Sequence, residues 1–455
     1  MDNSAETQDV LCVEAVIFLC YDVQRIDSEN SFFESEFIKE FGEYIIERTL
    51  MFRMNIKKWN YDKFFWIINT VILFCYAIDI GGFPNKLAIV WIGLAGLYCW
   101  KKKYIIKLNI REVLLAIGMV CHAAIYKYYS PDFSFTLTLS LAVVPVLFFL
   151  LGRQMVRGMF DGLGFERRAE IVTMAIAVGM FIHALLNFYV WTQEHSGPFW
   201  NDFWPDQLCT VSTQHSFLSV AVVSLIAYAF YYITKKWYYS IFILLIALTG
   251  NIINILCGNR MVLAITAVIL GMNGVIYIYL NRKEKRTWYI VVATVAGVAT
   301  LAFIILGLNF GGIKDTQYFY NLINKDGGII HNIRFQIHAE AVSQLLSHWK
   351  GGGTMMMAGF NSAHNYWLEL ANRTGLASFI PTVAFTVIAL IDVIKLILDK
   401  NISAKLKYLL PSVFMSLFLY HYMEVGGTAR PDYFLYVTVM AGVVYQTRRE
   451  AREAV

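Results

Sequence analysis

The sequence predicts an all-α, polytopic membrane protein of about twelve transmembrane helices, with one large external loop carrying short helices. Three observations predict it. The chain is 58% apolar, only 16% charged and has a mean hydropathy of +0.52, beyond the range of ordinary soluble domains. Apolar runs of roughly 17–22 residues recur along it, the length a helix needs to cross a bilayer core. Basic residues gather in alternate links between those runs, as they do on the cytoplasmic side of membrane proteins.

Taken in order, the first 50 residues hold twelve acidic and three basic residues. They show no signal-peptide layout, because the apolar run Ala15–Cys20 is short and follows an acidic region. Residues 1–60 read as an acidic cytoplasmic extension, with an amphipathic stretch from Phe37 to Leu50 and alternative starts at Met51 or Met54. The expected spans are about 64–80, 85–100, 112–128, 133–151, 170–191, 215–233, 238–256, 261–280, 288–308, 375–397, 407–424 and 431–446. Residues 61–308 form a membrane domain of spans one to nine, 309–374 the external loop, and 375–455 the last three spans and a cytoplasmic C-terminus.

Lys101, Lys102, Lys103, Lys107 and Arg111 occupy one set of links, continued by Arg153, Arg157, Arg167 and Arg168 and then by Lys235 and Lys236. Arg282, Lys283, Lys285 and Arg286, then Lys395, Lys400, Lys405 and Lys407, complete that set. The other set holds Lys86, Lys127, Arg260 and Arg430, and the 192–214 link has no Lys or Arg. Both termini are therefore expected in the cytoplasm, and the 309–374 loop outside. The positive balance is accounted for by topology, so no nucleic acid is expected as a partner. The seven cysteines have no CxxC or zinc-type spacing and read as free thiols.

Polar chemistry concentrates between His331 and Gly375, where four of the nine histidines fall. Residues 333–349 have helical spacing in Phe335, Val342, Leu345, Leu346 and Trp349, with Arg334 and His338 four apart on one face. This stretch also suits an amphipathic helix lying on the outer leaflet. The Gly351–Gly353 run is expected to end it, and a second helix to begin near His364.

Three features could carry chemistry. Asn259-Arg260 occupies a tight external turn, where an arginine either snorkels to headgroups or grips a phosphate with paired hydrogen bonds. Arg334 follows in the loop. His364-Asn365 then precedes Tyr366-Trp367-Leu368-Glu369; a histidine accepts protons near neutral pH, and Glu369 reads either as a helix-surface carboxylate or as a group that orients or buffers His364. His215 and His338 are secondary candidates. Asp202, Asp206 and Glu194 lie spread out among Trp200, Phe203 and Trp204 in the 192–214 link, without the clustered carboxylates that hard cations prefer. Those aromatics suit an interfacial belt or sugar stacking.

GNRMVLAITA, then IRFQIHAEAVSQLLSHW, then GGGT, then HNYWLELANRTG, in that order, resembles the bacterial O-antigen ligase and polymerase superfamily. The resemblance covers roughly residues 215–400. It departs in having Asn259 where a serine is familiar, and in Gln214-His215, both of which bear on the acceptor side.

The resemblance implies a metal-independent glycosyltransferase in the bacterial cytoplasmic membrane, using an undecaprenyl-pyrophosphate-linked oligosaccharide for surface polysaccharide such as O-antigen or capsule. Arg260 and Arg334 would hold the pyrophosphate and His364 would act as base toward the attacking hydroxyl, with Asn365, His338 and His215 binding substrate. It implies no cofactor and no metal. Partners would be the donor, a glycan or lipid acceptor, membrane lipids, and chain-length regulator and flippase proteins. Motif residues do not separate polymerase from ligase. A lipid-linked oligosaccharide transporter is the alternative, since Asp79, His122, His183 and His421 lie in or near spans; such transporters usually have two related halves, which this chain lacks. A catalytically inactive assembly partner is a third reading.

Overall fold

The computed structural model describes residues 61–79, 108–157, 163–194, 199–204, 208–256, 261–284, 333–360, 362–423 and 434–454. All belong to the second of two units, Tyr61–Val455, the first being Met1–Asn60. The expected N-terminal extension and spans 85–100 and 288–308 lie outside these residues.

The described residues are helical apart from one small ribbon. In chain order they form α1 (Tyr61–Ile78), α2 (Ile110–Tyr129), α3 (Phe135–Val156), α4 (Phe165–Glu194), β1 (Phe199–Asn201), β2 (Leu208–Thr210), α5 (Val211–Tyr232), α6 (Trp237–Leu256) and α7 (Met261–Asn281). Then follow α8 (Ile333–Gln344), α9 (Tyr366–Thr374), α10 (Leu376–Leu398), α11 (Ala404–Met423) and α12 (Phe434–Glu453). Ten of these helices fall on expected spans. Four are long and apolar enough to cross a membrane: α3, the Phe165–Gln193 part of α4, the Ala264–Asn281 part of α7, and α10. The antiparallel ribbon, with Trp200 opposite Cys209, was not expected from the sequence. Cys121 is a free thiol.

Close helix approach comes from small residues. A Cβ on Gly152 of α3 would meet the Val439 carbonyl oxygen of α12 at 2.1 Å, and one on Gly442 of α12 the Phe149 carbonyl oxygen of α3 at 2.2 Å. Two reciprocal glycines thus let these backbones touch, the means by which helices associate where apolar burial gives little drive.

Polar groups join the helices at two opposite ends. At one, Asp392 of α10 receives Arg111 of α2 through Nε at 2.6 Å and Nη2 at 2.9 Å, and also Arg448 of α12. Nearby, Arg153 of α3 pairs with Glu112, and the Tyr445 ring lies under both Arg111 and Arg153. Lys405 of α11 and the Tyr228 hydroxyl of α5 meet Glu170 of α4. At the other end, the Tyr436 hydroxyl donates to the Tyr76 carbonyl, Trp204 Nε1 donates to the Ile78 carbonyl, and His122 Nδ1 lies 3.1 Å from Thr374 Oγ1. Large apolar side chains nevertheless stay exposed along the helices, among them Phe135, Leu139, Phe242, Leu245, Val275, Ile380 and Ile394.

Candidate functional site

The stretch 333–375 builds a subdomain with its own core. Ile337, Ala341, Met355, Met357, Ala363, Leu368 and Ala371 are buried together. The inner face of α8 is therefore Ile333, Ile337 and Ala341, at helical spacing. Most of the stripe read from the sequence points the other way: Phe335, Val342, Leu346 and Trp349 are exposed, while Leu345 is half-buried against this core. The helix also ends earlier than expected, at Gln344, and turns carry the chain through Lys350. Gln344 Nε2 donates to the Met356 carbonyl and its Oε1 accepts the Met356 amide, tying the end of α8 to the returning chain. Glu340 accepts the Ala358 amide.

The glycine run docks rather than terminates. Gly352 N donates to the Arg373 carbonyl and Gly353 N to the Asn372 carbonyl, satisfying the last carbonyls of α9. Gly351 and Gly375 both have positive φ, at 82° and 74°, and a Cβ on Gly375 would lie 2.2 Å from the Trp349 carbonyl oxygen. Only glycine fits there.

α9 starts at Tyr366, near His364 as expected, with Asn365 as its N-cap. Asn365 Oδ1 accepts the Leu368 amide at 3.1 Å, while its Nδ2 donates to the Tyr422 carbonyl at 3.0 Å. One side chain thus starts the helix and anchors it to the end of α11. His364 itself has φ 45°, a left-handed conformation uncommon outside glycine. It is half-buried, and its Nδ1 is buried with no hydrogen-bond partner among the described residues.

Arg334, His338 and His364 come together. The His338 ring lies edge-on to Tyr422 at 5.7 Å between centroids. Burial pulls the His338 pKa below its ordinary value; the His364 and Ala363 backbone opposes this, and the nearby Arg334 and His364 charges reinforce it. The net result favours the neutral imidazole, which accepts a proton. His338 Nε2 has no hydrogen-bond partner among the described residues.

Glu369 departs from the helix-surface reading. It is 1% exposed, not a surface carboxylate. Its Oε2 accepts the Ala363 amide at 3.0 Å and its Oε1 takes Arg373 Nε at 2.6 Å. Of the other expected site residues, Arg260 directly precedes α7 and lies outside the described residues. Position 215 falls near the start of α5, its side chain outside them as well.

One participant had no signal in the sequence. Tyr422 closes the site from a distant helix. Asp202, read as isolated, stands beside His183 and Asp79, with Asp202 Oδ2 at 3.4 Å and Asp79 Oδ2 at 3.9 Å from His183 Nε2.

Fold and site together describe a helical bundle with strongly apolar helices and a compact His–Arg centre on an interhelical subdomain. Compared with family models and with curated proteins, the chain matches none.

Proposed function

We propose that the chain is a polytopic membrane glycosyltransferase of the O-antigen ligase/polymerase type. It spans the bacterial cytoplasmic membrane about twelve times, with both termini cytoplasmic and the α8–α9 subdomain outside. The exposed apolar side chains of the helices support the membrane reading, because a soluble monomer rarely carries so much contiguous apolar surface. The alternation of basic links fits the two polar ends: Arg111, Arg153, Lys405 and Arg448 all meet acidic partners at one end, the end assigned to the cytoplasm. The exposed stripe Phe335, Val342, Leu346 and Trp349 suits a subdomain resting on the outer leaflet.

The observation that carries the enzyme reading is the convergence of Arg334, His338 and His364, with His364 Nδ1 and His338 Nε2 left without hydrogen-bond partners among the described residues. In the proposed reaction a hydroxyl of the acceptor sugar attacks the anomeric carbon of the lipid-linked donor. His364 takes the hydroxyl proton, assisted by neutral His338. The new C–O bond forms as the bond to the pyrophosphate breaks, and undecaprenyl pyrophosphate leaves. Arg334, joined by Arg260, offsets the charge growing on the leaving group. The transfer step needs no metal. Ligase and polymerase differ only in the acceptor.

The test is transfer by purified protein in lipid nanodiscs, supplied with its native undecaprenyl-pyrophosphate oligosaccharide, beside a folded His364→Ala variant. Ladder-like products lost in the variant support a polymerase, and a single product that needs an added acceptor supports a ligase. No product from the native donor overturns the enzyme reading and favours lipid-linked oligosaccharide transport.

A further inference from the structure

Outside the transfer site, Asp79, His183 and Asp202 converge from three separate segments: the residue after α1, the middle of α4, and the turn following β1. One ligand atom from each lies within 4.8 Å of the others. His183 is 1% exposed and Asp202 8%, so two ionisable groups are held out of water where an unbalanced charge is costly.

The hydrogen bonds around them leave one position unfilled. Asn187 Oδ1 accepts the Phe203 amide at 3.2 Å, which fixes the orientation of the Asn187 amide. Its Nδ2 then faces His183 Nε2 at 3.1 Å. The two Asn187 Nδ2 hydrogens have oxygen acceptors in the His183 carbonyl at 3.2 Å and Asp202 Oδ1 at 3.4 Å, which leaves the one Nε2 lone pair of the Nδ1–H tautomer open to a ligand. Asp202 Oδ1 is occupied by the Trp204 amide at 3.0 Å and by Asn187 Nδ2 at 3.4 Å. Its other oxygen, Oδ2, is the one turned to His183 Nε2. Oδ2 and Nε2 therefore face each other at 3.4 Å across a gap that a cation or an Nε2 proton can fill. Neighbouring ligand atoms around a tetrahedral zinc, with bonds of about 2.0–2.1 Å, lie roughly 3.3 Å apart. Donors that occupy the far oxygen of a ligating carboxylate also belong to such sites. On the remaining side His183 Nδ1 has no hydrogen-bond partner among the described residues, and Phe217 packs edge-on to the ring at 4.6 Å.

We propose that Asp79, His183 and Asp202 bind a divalent cation of the zinc class, which braces the 199–204 turn against the ends of α1 and α4. The nitrogen–oxygen donor set suits zinc better than magnesium or calcium, which prefer oxygen alone. Solvent completes the coordination. The cation lies apart from His364 and takes no part in glycosyl transfer. It holds the turn that carries Phe203 and Trp204.

The test reads metal rather than transfer, so its failure is separate from failure of the enzyme reading. Full-length protein, freed of any affinity tag and stripped with chelator, is given Zn²⁺, desalted and analysed for bound metal. One equivalent per chain is expected, with X-ray absorption showing nitrogen and oxygen ligands including imidazole, and a Tm that rises with Zn²⁺ concentration. His183→Gln and Asp202→Asn should each lose the stoichiometric metal. Should either fail to fold, Asp79→Asn, at the more exposed ligand, should weaken Zn²⁺ binding at least ten-fold with helix content unchanged. Absence of stoichiometric metal in the wild type, sulfur ligation, or full retention in every folded variant would overturn the proposal. A proton alone then fills the gap.

Discussion

The buried Glu369 carboxylate accepts the Ala363 amide at 3.0 Å. That bond fixes the chain one residue before His364, while Arg373 holds the other oxygen at 2.6 Å from the same helix. The carboxylate therefore positions the backbone next to His364. Removing it leaves the Ala363 amide unsatisfied and a half-buried arginine unpaired. Hydrogen bonds to charged groups contribute about 1.5–3 kcal/mol each. Glu369→Ala is expected to lower Tm and to cut kcat more than it raises KM. Glu369→Gln, which keeps an acceptor for Ala363, should recover much of both. Thermal unfolding and steady-state transfer rates check this, and equal effects of the two substitutions would count against the positioning role.

The left-handed backbone of His364 gives a separate test. A non-glycine residue in this region costs on the order of 1–3 kcal/mol, a cost tolerated where a side chain is needed in place. His364→Gly removes the strain and His364→Ala keeps it. The glycine variant should therefore unfold at a higher temperature than the alanine variant. Both should lose transfer by about 10²–10⁴-fold, the usual contribution of a general base. A glycine variant that is active rules out His364 as the base.

His338 sets an expectation for pH. Its folded-state pKa lies below its unfolded value because of burial, with Arg334 and His364 adding to the effect. The unfolded chain then binds the proton more readily than the folded one. Stability from this residue is fully present above the unfolded value of about 6.5 and is lost as pH falls through the lower folded value. Tm of the wild type should thus drop more steeply between neutral and mildly acidic pH than Tm of His338→Gln. Parallel Tm–pH curves for the two proteins would remove the buried imidazole from the account.

Ten helices were legible in the sequence because apolar runs and basic links are local signals. Ends were less so. α4 extends to Glu194, beyond the apolar run, because a helix can continue past the apolar stretch that marks it. The two short helices of the 309–374 stretch were also expected, but their faces were misread. Phe335, Val342, Leu346 and Trp349 repeat at helical steps, yet Ile333, Ile337 and Ala341 do so equally, and only packing against Met355, Met357 and Leu368 selects the second set. His364, Arg334 and His338 could be picked out by residue type and order. Glu369 was singled out beside them, but its burial was not announced; Tyr422 and the grouping of Asp79, His183 and Asp202 depend on contacts between segments distant in sequence.

Asp392 offers the sharpest stability prediction. It lies in α10 with its side chain 2% exposed, and it accepts Arg111 of α2 in a two-point grip while also receiving Arg448 of α12. One carboxylate therefore ties three helices at the end assigned to the cytoplasm. Two buried or half-buried guanidiniums would face each other without it. Breaking a buried ion pair by removing one partner costs about 3–5 kcal/mol, chiefly because the remaining charge has lost its counterpart. Asp392→Ala should lower Tm well beyond any other single substitution at this end. Arg448→Met, which removes one of the two cations and leaves the Arg111 grip intact, should cost far less. Asp392→Ala combined with Arg448→Met should be more stable than Asp392→Ala alone, since the double change relieves the repulsion. Thermal unfolding of the four proteins in the same lipid nanodiscs measures the coupling, and strictly additive effects would show that the two side chains do not act together.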